Sequence, residues 1–194
     1  IMGPARLMML SDHGMTCVLH IWKRILKRPV SHYERSKGVM KIRVLDIAYE
    51  TMADGPGLRT SIYCAGCAHH CPGCHNPQSW DFNGGNEMSV QELLDIIKDD
   101  EFANVTFSGG DPLYQVEAFT ELARRIKEET GKTIWCYTGF TYEEVLADER
   151  LSQILPHLDV LVEGPFILEK RTTELAFRGS SNQRIIHLCP DKQI

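Results

Sequence analysis

The sequence lacks any apolar run approaching the roughly 20 residues that a membrane-spanning helix needs, so we expect no membrane insertion. It also lacks internal repeats and low-complexity segments, which excludes repeat and low-complexity proteins. No secretory signal peptide is recognisable, and the seven cysteines are not spread along the chain as in a disulfide scaffold. We therefore expect a reducing cytoplasm rather than a secreted protein.

Basic residues are scarce over most of the chain. Residues 40–194 hold 14 Lys/Arg against 24 Asp/Glu, a net charge of -10. Without a basic stripe to replace the counterions of phosphates, nucleic acid is not expected as a partner. Residues 1–39 differ, with seven Lys/Arg against two Asp/Glu.

The first 39 residues also carry an apolar stripe at helical spacing between basic side chains. Such a basic amphipathic helix can bind an anionic surface or an acidic partner. The other interpretation is an upstream extension that contributes little to the fold, since a strand-like run opens at Met40-Lys41. We predict an extension over 1–39, outside the core fold, and a working domain over 40–194.

Short β-branched runs alternate with helical periodicity from residue 41, which is typical of βα units and a mainly parallel sheet. Capping boxes predict helix starts at Ser89 and Thr141. The predicted strands are 42–46, 60–63, 104–107, 133–137, 159–162 and 184–188. The helix that starts at Thr141 is predicted to continue over 145–155, and one further helix is predicted over 116–129. In such a sheet the chemistry lies at the carboxyl ends of the strands, here in the loops after 60–63 and 104–107.

Four of the seven cysteines, Cys64, Cys67, Cys71 and Cys74, fall within eleven residues, and the others are Cys17, Cys136 and Cys189. Zinc could use the two Cys-x-x-Cys pairs, but only three residues separate them, whereas zinc pairs usually stand about 15–20 residues apart. A ferredoxin-like carrier would need a further Cys-x-x-Cys partner upstream, and that partner is missing. The third interpretation takes Cys67, Cys71 and Cys74 as three thiolate ligands of a 4Fe–4S cube whose fourth iron stays open for catalysis.

That triplet resembles the signature of the radical S-adenosylmethionine (radical SAM) superfamily. Three more stretches stand in the order seen in its glycyl-radical-enzyme activases. They are residues 54–60 (DGPGLRT), 75–77 (HNP) and 108–112 (SGGDP). The tail, residues 159–164 (DVLVEG) and 177–184 (FRGSSNQR), resembles the branch that acts on anaerobic (class III) ribonucleotide reductase. The resemblance covers 40–194 and none of 1–39.

The resemblance implies a fold and a reaction. The fold would be α/β, a partial (β/α) barrel of the radical SAM type with a mainly parallel sheet. A reduced 4Fe–4S cluster would donate an electron to SAM, and the resulting 5′-deoxyadenosyl radical would take a hydrogen from a glycine Cα of the partner reductase. The alternatives are an activase of another glycyl-radical enzyme, of the pyruvate formate-lyase type, and a zinc or iron–sulfur binding module without SAM chemistry. The radical forms on SAM, so no catalytic side chain is expected. By family analogy the electron donor is reduced flavodoxin or a similar protein.

The resemblance also implies the site residues. Cys67, Cys71 and Cys74 would bind the cluster, and Gly73, Cys74, His75, Gly109, Gly110 and Asp111 would contact SAM. Asp111 stands where many relatives have Glu.

Other candidates receive structural interpretations. We predict Cys64 to be a buried or strand-end residue. His69 and His70 are predicted to lie on the loop surface rather than to bind metal. Trp80 and Trp135 are predicted to lie in the core. The turn that begins at Arg178 could cap a helix or meet the partner reductase.

Overall fold

The computed structural model describes residues 39–188. The strands are β1 (Lys41–Thr51), β2 (Arg59–Cys64), β3 (Asn86–Ser89), β4 (Asn104–Gly109), β5 (Ile134–Tyr137), β6 (Val160–Glu163) and β7 (Arg184–His187). The α-helices are α1 (Val90–Asp99), α2 (Val116–Glu129) and α3 (Tyr142–Ala147). Short 3-10 helices cover Pro77–Trp80, Pro112–Gln115, Leu151–His157 and Leu168–Lys170. The predicted extension up to residue 38, with Cys17, and Cys189 near the other end lie outside the described residues.

One sheet joins all seven strands in the order β3-β1-β2-β4-β5-β6-β7. The four central strands, β2, β4, β5 and β6, run parallel. β1, β3 and β7 pair antiparallel with their neighbours. The predicted α/β class with a parallel central sheet is therefore confirmed, and the structure adds antiparallel strands on both sides. The curvature of a partial barrel stays a prediction.

The main core lies between one face of the sheet and the helices. Alternate strand residues such as Ile134 and Cys136 point into this core, while Trp135 belongs to a second cluster with Val160 and Val162. This division follows from the two-residue period of a strand. Trp135 is buried, as predicted. The same prediction is wrong for Trp80, which is half-buried and belongs to neither cluster of the described residues.

The helices form where the capping signals predict them. Ser89 accepts a hydrogen bond from the Glu92 amide and Thr141 from the Glu144 amide, and both capping boxes are complete. The apolar face of α2 is buried at Phe119, and each such large side chain contributes about 2 kcal/mol through its removal from water. No helix in the described part of the chain is long and apolar enough to cross a membrane.

The predicted helix over 145–155 is wrong. α3 ends at Ala147, and a separate 3-10 helix, Leu151–His157, follows with Pro156 inside it. The Asp148 carboxylate accepts hydrogen bonds from the amides of Arg150 (2.7 Å) and Leu151 (3.1 Å), so a new turn begins there. The sequence prediction also left out β3, which pairs with β1.

Candidate functional site

The carboxyl ends of β2 and β4 lie side by side. In their parallel register Tyr63 is opposite Ser108 and Cys64 is opposite Gly109. The loop that follows β2 and carries Cys67, Cys71 and Cys74 is called the cysteine loop, and Gly109-Gly110 at the end of β4 is called the Gly-Gly turn. The two therefore start from adjacent positions at one edge of the sheet. This is the juxtaposition that the βα order of the sequence predicts.

The Gly-Gly turn packs directly against the cysteine loop. The Gly110 amide donates to the Cys64 carbonyl at 2.7 Å, and the Asp111 amide donates to the Gly66 carbonyl at 2.9 Å. Gly109 has a φ of +107°, a conformation that favours glycine. A Cβ on Gly110 would lie 2.5 Å from the Gly66 oxygen, so a side chain there would push the two backbones apart.

The three predicted ligand thiols lie on one continuous loop. Cys67 is buried, while Cys71 and Cys74 are partly exposed. The Cys74 amide donates to the Cys71 carbonyl at 3.1 Å, which closes a tight turn between these two residues. The Asn76 amide lies 3.4 Å from the Cys74 Sγ. Hydrogen bonds to sulfur of this kind tune iron–sulfur centres.

The thiols also interact electrostatically. Burial raises the pKa of Cys67 to about 11, a hydrogen bond from the His69 backbone opposes that rise, and the nearby Asp111, Cys71 and Cys74 add to it. If all three thiols were ionised they would repel one another, so a cationic centre between them would stabilise the loop.

The donor chemistry fits a 4Fe–4S cluster. All five cysteines among residues 39–188 are free thiols. Within those residues, no three His, Cys, Asp or Glu side chains form a group that could hold a single metal ion. The ligands of a cluster bind separate irons, so they need not converge on one point.

Cys64 differs from these three residues. It is fully buried at the end of β2, and burial raises its pKa well above the usual range. This position agrees with the prediction of a buried, strand-end residue.

Both carboxylate oxygens of Asp111 are within hydrogen-bond distance of protein groups. It is 1% exposed, and Oδ2 lies 2.9 Å from each of His69 Nε2, Thr138 Oγ1 and the Gly139 amide. Oδ1 accepts from the Leu113 amide at 2.9 Å. Sequence reasoning missed this network, because its partners are up to 42 residues away along the chain.

The three histidines of the loop have different surroundings. His69 is 17% exposed at its side chain, so the prediction of a loop-surface position is wrong for it. His70 is exposed, as predicted, and its ring lies 4.7 Å from that of Trp80. The exposed His75 packs beside Phe166, with 5.2 Å between ring centres.

The segment that contains residues 177–184 folds back onto the loop after β6. The Ser181 amide donates to the Lys170 carbonyl at 2.9 Å, and Asn182 Nδ2 donates to the Pro165 carbonyl at 2.8 Å. Leu168 of this loop reaches the cysteine loop, since a Cβ on Gly73 would lie 2.8 Å from its Cδ1. The segment therefore braces a loop that covers part of the cysteine loop, rather than capping a helix.

Arg59, within the 54–60 stretch, is fully buried, and sequence reasoning assigned it no structural role. Its Nε donates to Thr106 Oγ1 at 2.6 Å and its Nη2 to the Val105 carbonyl at 2.5 Å, and the guanidinium lies 5.5 Å from the centre of the Trp135 ring. Burial lowers its pKa to about 10. Tyr63 donates a hydrogen bond to the Asp54 carboxylate, so this stretch is fixed to the central strands.

Comparison with known proteins identifies the family to which the chain belongs. The family model of a 4Fe-4S single cluster domain matches residues 53–186. An anaerobic ribonucleoside-triphosphate reductase-activating protein from Haemophilus influenzae is 38% identical, over 69% of this chain and 90% of that protein. The proteins of the same name from Vibrio cholerae and Escherichia coli K12 are 38% and 34% identical and are covered over 91% and 93% of their lengths. The chain belongs to this family of reductase-activating proteins.

The family match includes every predicted ligand and SAM-contacting residue. The matched range begins before the cysteine loop and ends within β7, so it contains both halves of the site. Membership in a 4Fe–4S domain family supports an iron–sulfur cluster in this chain. It does not assign individual ligands.

A solved structure shares the fold of this family member. The crystal structure of QueE from Escherichia coli aligns with a TM-score of 0.50 over 68% of this chain and 75% of that chain, at 15% identity. At that identity the likeness concerns the mixed α/β fold alone.

Proposed function

We propose that the chain activates anaerobic (class III) ribonucleotide reductase by generating its glycyl radical through reductive cleavage of SAM at a 4Fe–4S cluster. One observation carries the proposal, which is the direct backbone contact between the three-cysteine loop and the Gly109-Gly110 turn. This contact supports the proposal, because it joins the loop of the three proposed thiolate ligands to the proposed backbone cradle at the carboxyl edge of the parallel strands. Family membership supports the choice of partner.

In this proposal Cys67, Cys71 and Cys74 hold three irons. The fourth iron is left for the amino and carboxylate groups of SAM. When bound, the cluster supplies the electron that cleaves SAM to methionine and a 5′-deoxyadenosyl radical, which takes a hydrogen atom from the reductase glycine. The protein contributes the orientation of the thiolates and the hydrogen bonds to their sulfurs.

The SAM contacts that we propose follow the same geometry. Gly109 and Gly110 have no side chains, so their backbone can lie close to a ligand, and their carbonyl oxygens can accept from its amino group. Asp111 adds a buried negative charge behind the turn, which favours a cationic ligand. Gly73, Cys74 and His75 are proposed to contact SAM from the cysteine loop.

The remaining parts of the proposal concern the setting. We place the reaction in a reducing cytoplasm, with reduced flavodoxin or a similar protein as electron donor. Residues 40–194 carry the activity, and the sheet is proposed to curve as a partial barrel.

The experiment is anaerobic reconstitution with iron and sulfide, followed by reduction and addition of SAM. We expect methionine and 5′-deoxyadenosine in equal amounts from the wild-type chain and none from Cys71→Ser, a matched variant in the same loop. A wild-type chain that takes up zinc or iron but cleaves no SAM would contradict the proposal and favour a metal-binding module.

A further inference from the structure

In the sequence, His69 is the middle residue between two proposed ligands, Cys67 and Cys71. Its backbone is therefore part of the arc that joins these two residues. The side-chain Nε2 lies 2.9 Å from Asp111 Oδ2. A carboxylate oxygen is an acceptor, so this contact forms when the ring carries a hydrogen on Nε2.

The Asp111 carboxylate connects three separate parts of the chain. Besides His69, it accepts hydrogen bonds from Thr138 Oγ1 and the Gly139 amide, which follow β5, and from the Leu113 amide, which follows the Gly-Gly turn. The described partners of this carboxylate include no lysine or arginine. A buried carboxylate depends on such donors, because its loss of hydration is otherwise uncompensated.

The His69 ring is enclosed on the sides that do not face Asp111. It meets Phe140 edge to face at 4.6 Å between ring centres and Tyr114 at 5.5 Å. A Cβ on Gly139 would lie 2.5 Å from His69 Cδ2, so the absence of a side chain at Gly139 makes room for the ring. These contacts fix the ring, and through it the arc of backbone between Cys67 and Cys71.

We propose that His69 and Asp111 form a positioning pair that ties the arc between Cys67 and Cys71 to the ends of β4 and β5 and so holds the Cys67 sulfur in place for the cluster. The inference rests on the proposed function, because it assumes a 4Fe–4S cluster on this loop. It assigns His69 no metal-ligand role. It gives Asp111 a structural task besides the charge that it places behind the Gly-Gly turn.

The test compares variants of the reconstituted protein. His69→Phe keeps an aromatic ring but loses the donor, and His69→Gln keeps a donor that can reach Asp111. His70→Phe is the matched control, because His70 is adjacent and exposed and packs on Trp80 instead. The readouts are iron and sulfide per chain and the rate at which a ferrous chelator removes iron, with circular dichroism of the loaded protein to check folding.

We expect His69→Phe to lose iron about tenfold to hundredfold faster than wild type, since residues that orient ligands typically have effects of this size. His69→Gln and His70→Phe should stay close to wild type. Equal rates for His69→Phe and wild type would overturn the proposal, as would an equally fast loss from His70→Phe.

A second variant covers the case in which His69→Phe does not fold. Gly139→Ala keeps both residues of the pair, but its methyl group would lie 2.5 Å from His69 Cδ2 and must displace the ring from Asp111. Faster iron loss from Gly139→Ala supports the pair, and an unchanged rate contradicts it. If wild type cleaves SAM but these variants retain iron normally, only the positioning pair fails. If wild type forms no cluster, the proposed function fails as well.

Discussion

The amide nitrogen of Gly110 lies 2.7 Å from the carbonyl oxygen of Cys64, so the turn at the end of β4 contacts the last residue of β2, directly before the cysteine loop. The two are 46 positions apart in the sequence and become neighbours because β2 and β4 pair in parallel. The proposed cluster and the proposed SAM cradle therefore share one backbone junction. Displacement of this junction should affect SAM cleavage more than folding.

The first prediction concerns Gly110→Ala. Its new Cβ would lie 2.5 Å from the Gly66 oxygen, and the turn must move away. We expect the rate of SAM cleavage to fall about a hundredfold, because a shift of about 1 Å in a positioning element can cost that much. Gly131→Ala is the control: a Cβ there meets nothing within 4 Å, and its φ of +68° makes the expected cost one of folding stability, about 1–2 kcal/mol, rather than of SAM cleavage. Similar cleavage rates for the two variants would argue against the cradle.

The second prediction concerns the ligand set. Cys67→Ser, Cys71→Ser and Cys74→Ser should each prevent assembly of a stable cluster, measured as iron, sulfide and visible absorption after reconstitution. Cys64→Ser should keep the cluster, because Cys64 lies in the core at the end of β2. Its expected cost is about 1–3 kcal/mol of folding stability from burying a hydroxyl group. Loss of the cluster in Cys64→Ser would show that the ligand choice is wrong.

The third prediction concerns thiol reactivity in the metal-free chain. Cys67 is buried and its pKa is raised to about 11, so about one thousandth of it is thiolate at pH 8. We expect Cys67 to react with iodoacetamide more slowly than the partly exposed Cys71 and Cys74. Its rate should rise about tenfold per pH unit from pH 8 to 10, because the thiolate is the reactive form.

The readout for this reactivity is peptide mass spectrometry of the alkylated chain. The same chain in denaturant is the control, since all thiols should then react at similar rates. Equal rates for Cys67 and Cys71 in the folded chain would contradict the burial of Cys67.

The fourth prediction concerns residues 1–39. Every proposed ligand and SAM contact lies between Cys67 and Asp111, and the family model begins at residue 53. Deletion of 1–39 should therefore leave SAM cleavage and reductase activation within about twofold of the full chain. A large loss in either assay would show that the segment contributes to function.

The sequence predicts well where a local signal determines the structure. The bounds of α2 follow from apolar residues at helical spacing, and both capping boxes form because each needs residues only three positions apart. β3 was missed because its residues, Asn86–Ser89, show no apolar alternation and become a strand only through pairing with β1. α3 is shorter than predicted because Asp148 starts a new turn.

Within the site, the ligand triplet and the Gly-Gly turn are visible in the sequence as short motifs. The His69–Asp111 contact is not, because it joins residues from two loops and depends on the parallel pairing of β2 and β4. The same holds for Arg59, whose partners Val105 and Thr106 lie on β4. An acidic residue directly after the Gly-Gly turn was the one available signal, and sequence alone assigned it to SAM rather than to His69.

The most direct test of the central claim is an electron paramagnetic resonance measurement on the anaerobic ribonucleotide reductase after anaerobic incubation with the reduced, reconstituted chain and SAM. The account predicts a glycyl-radical signal on the reductase that requires SAM and is absent with Cys71→Ser or with a reductase whose radical glycine is replaced by alanine. SAM cleavage without that signal, or a signal that persists with Cys71→Ser, would contradict it.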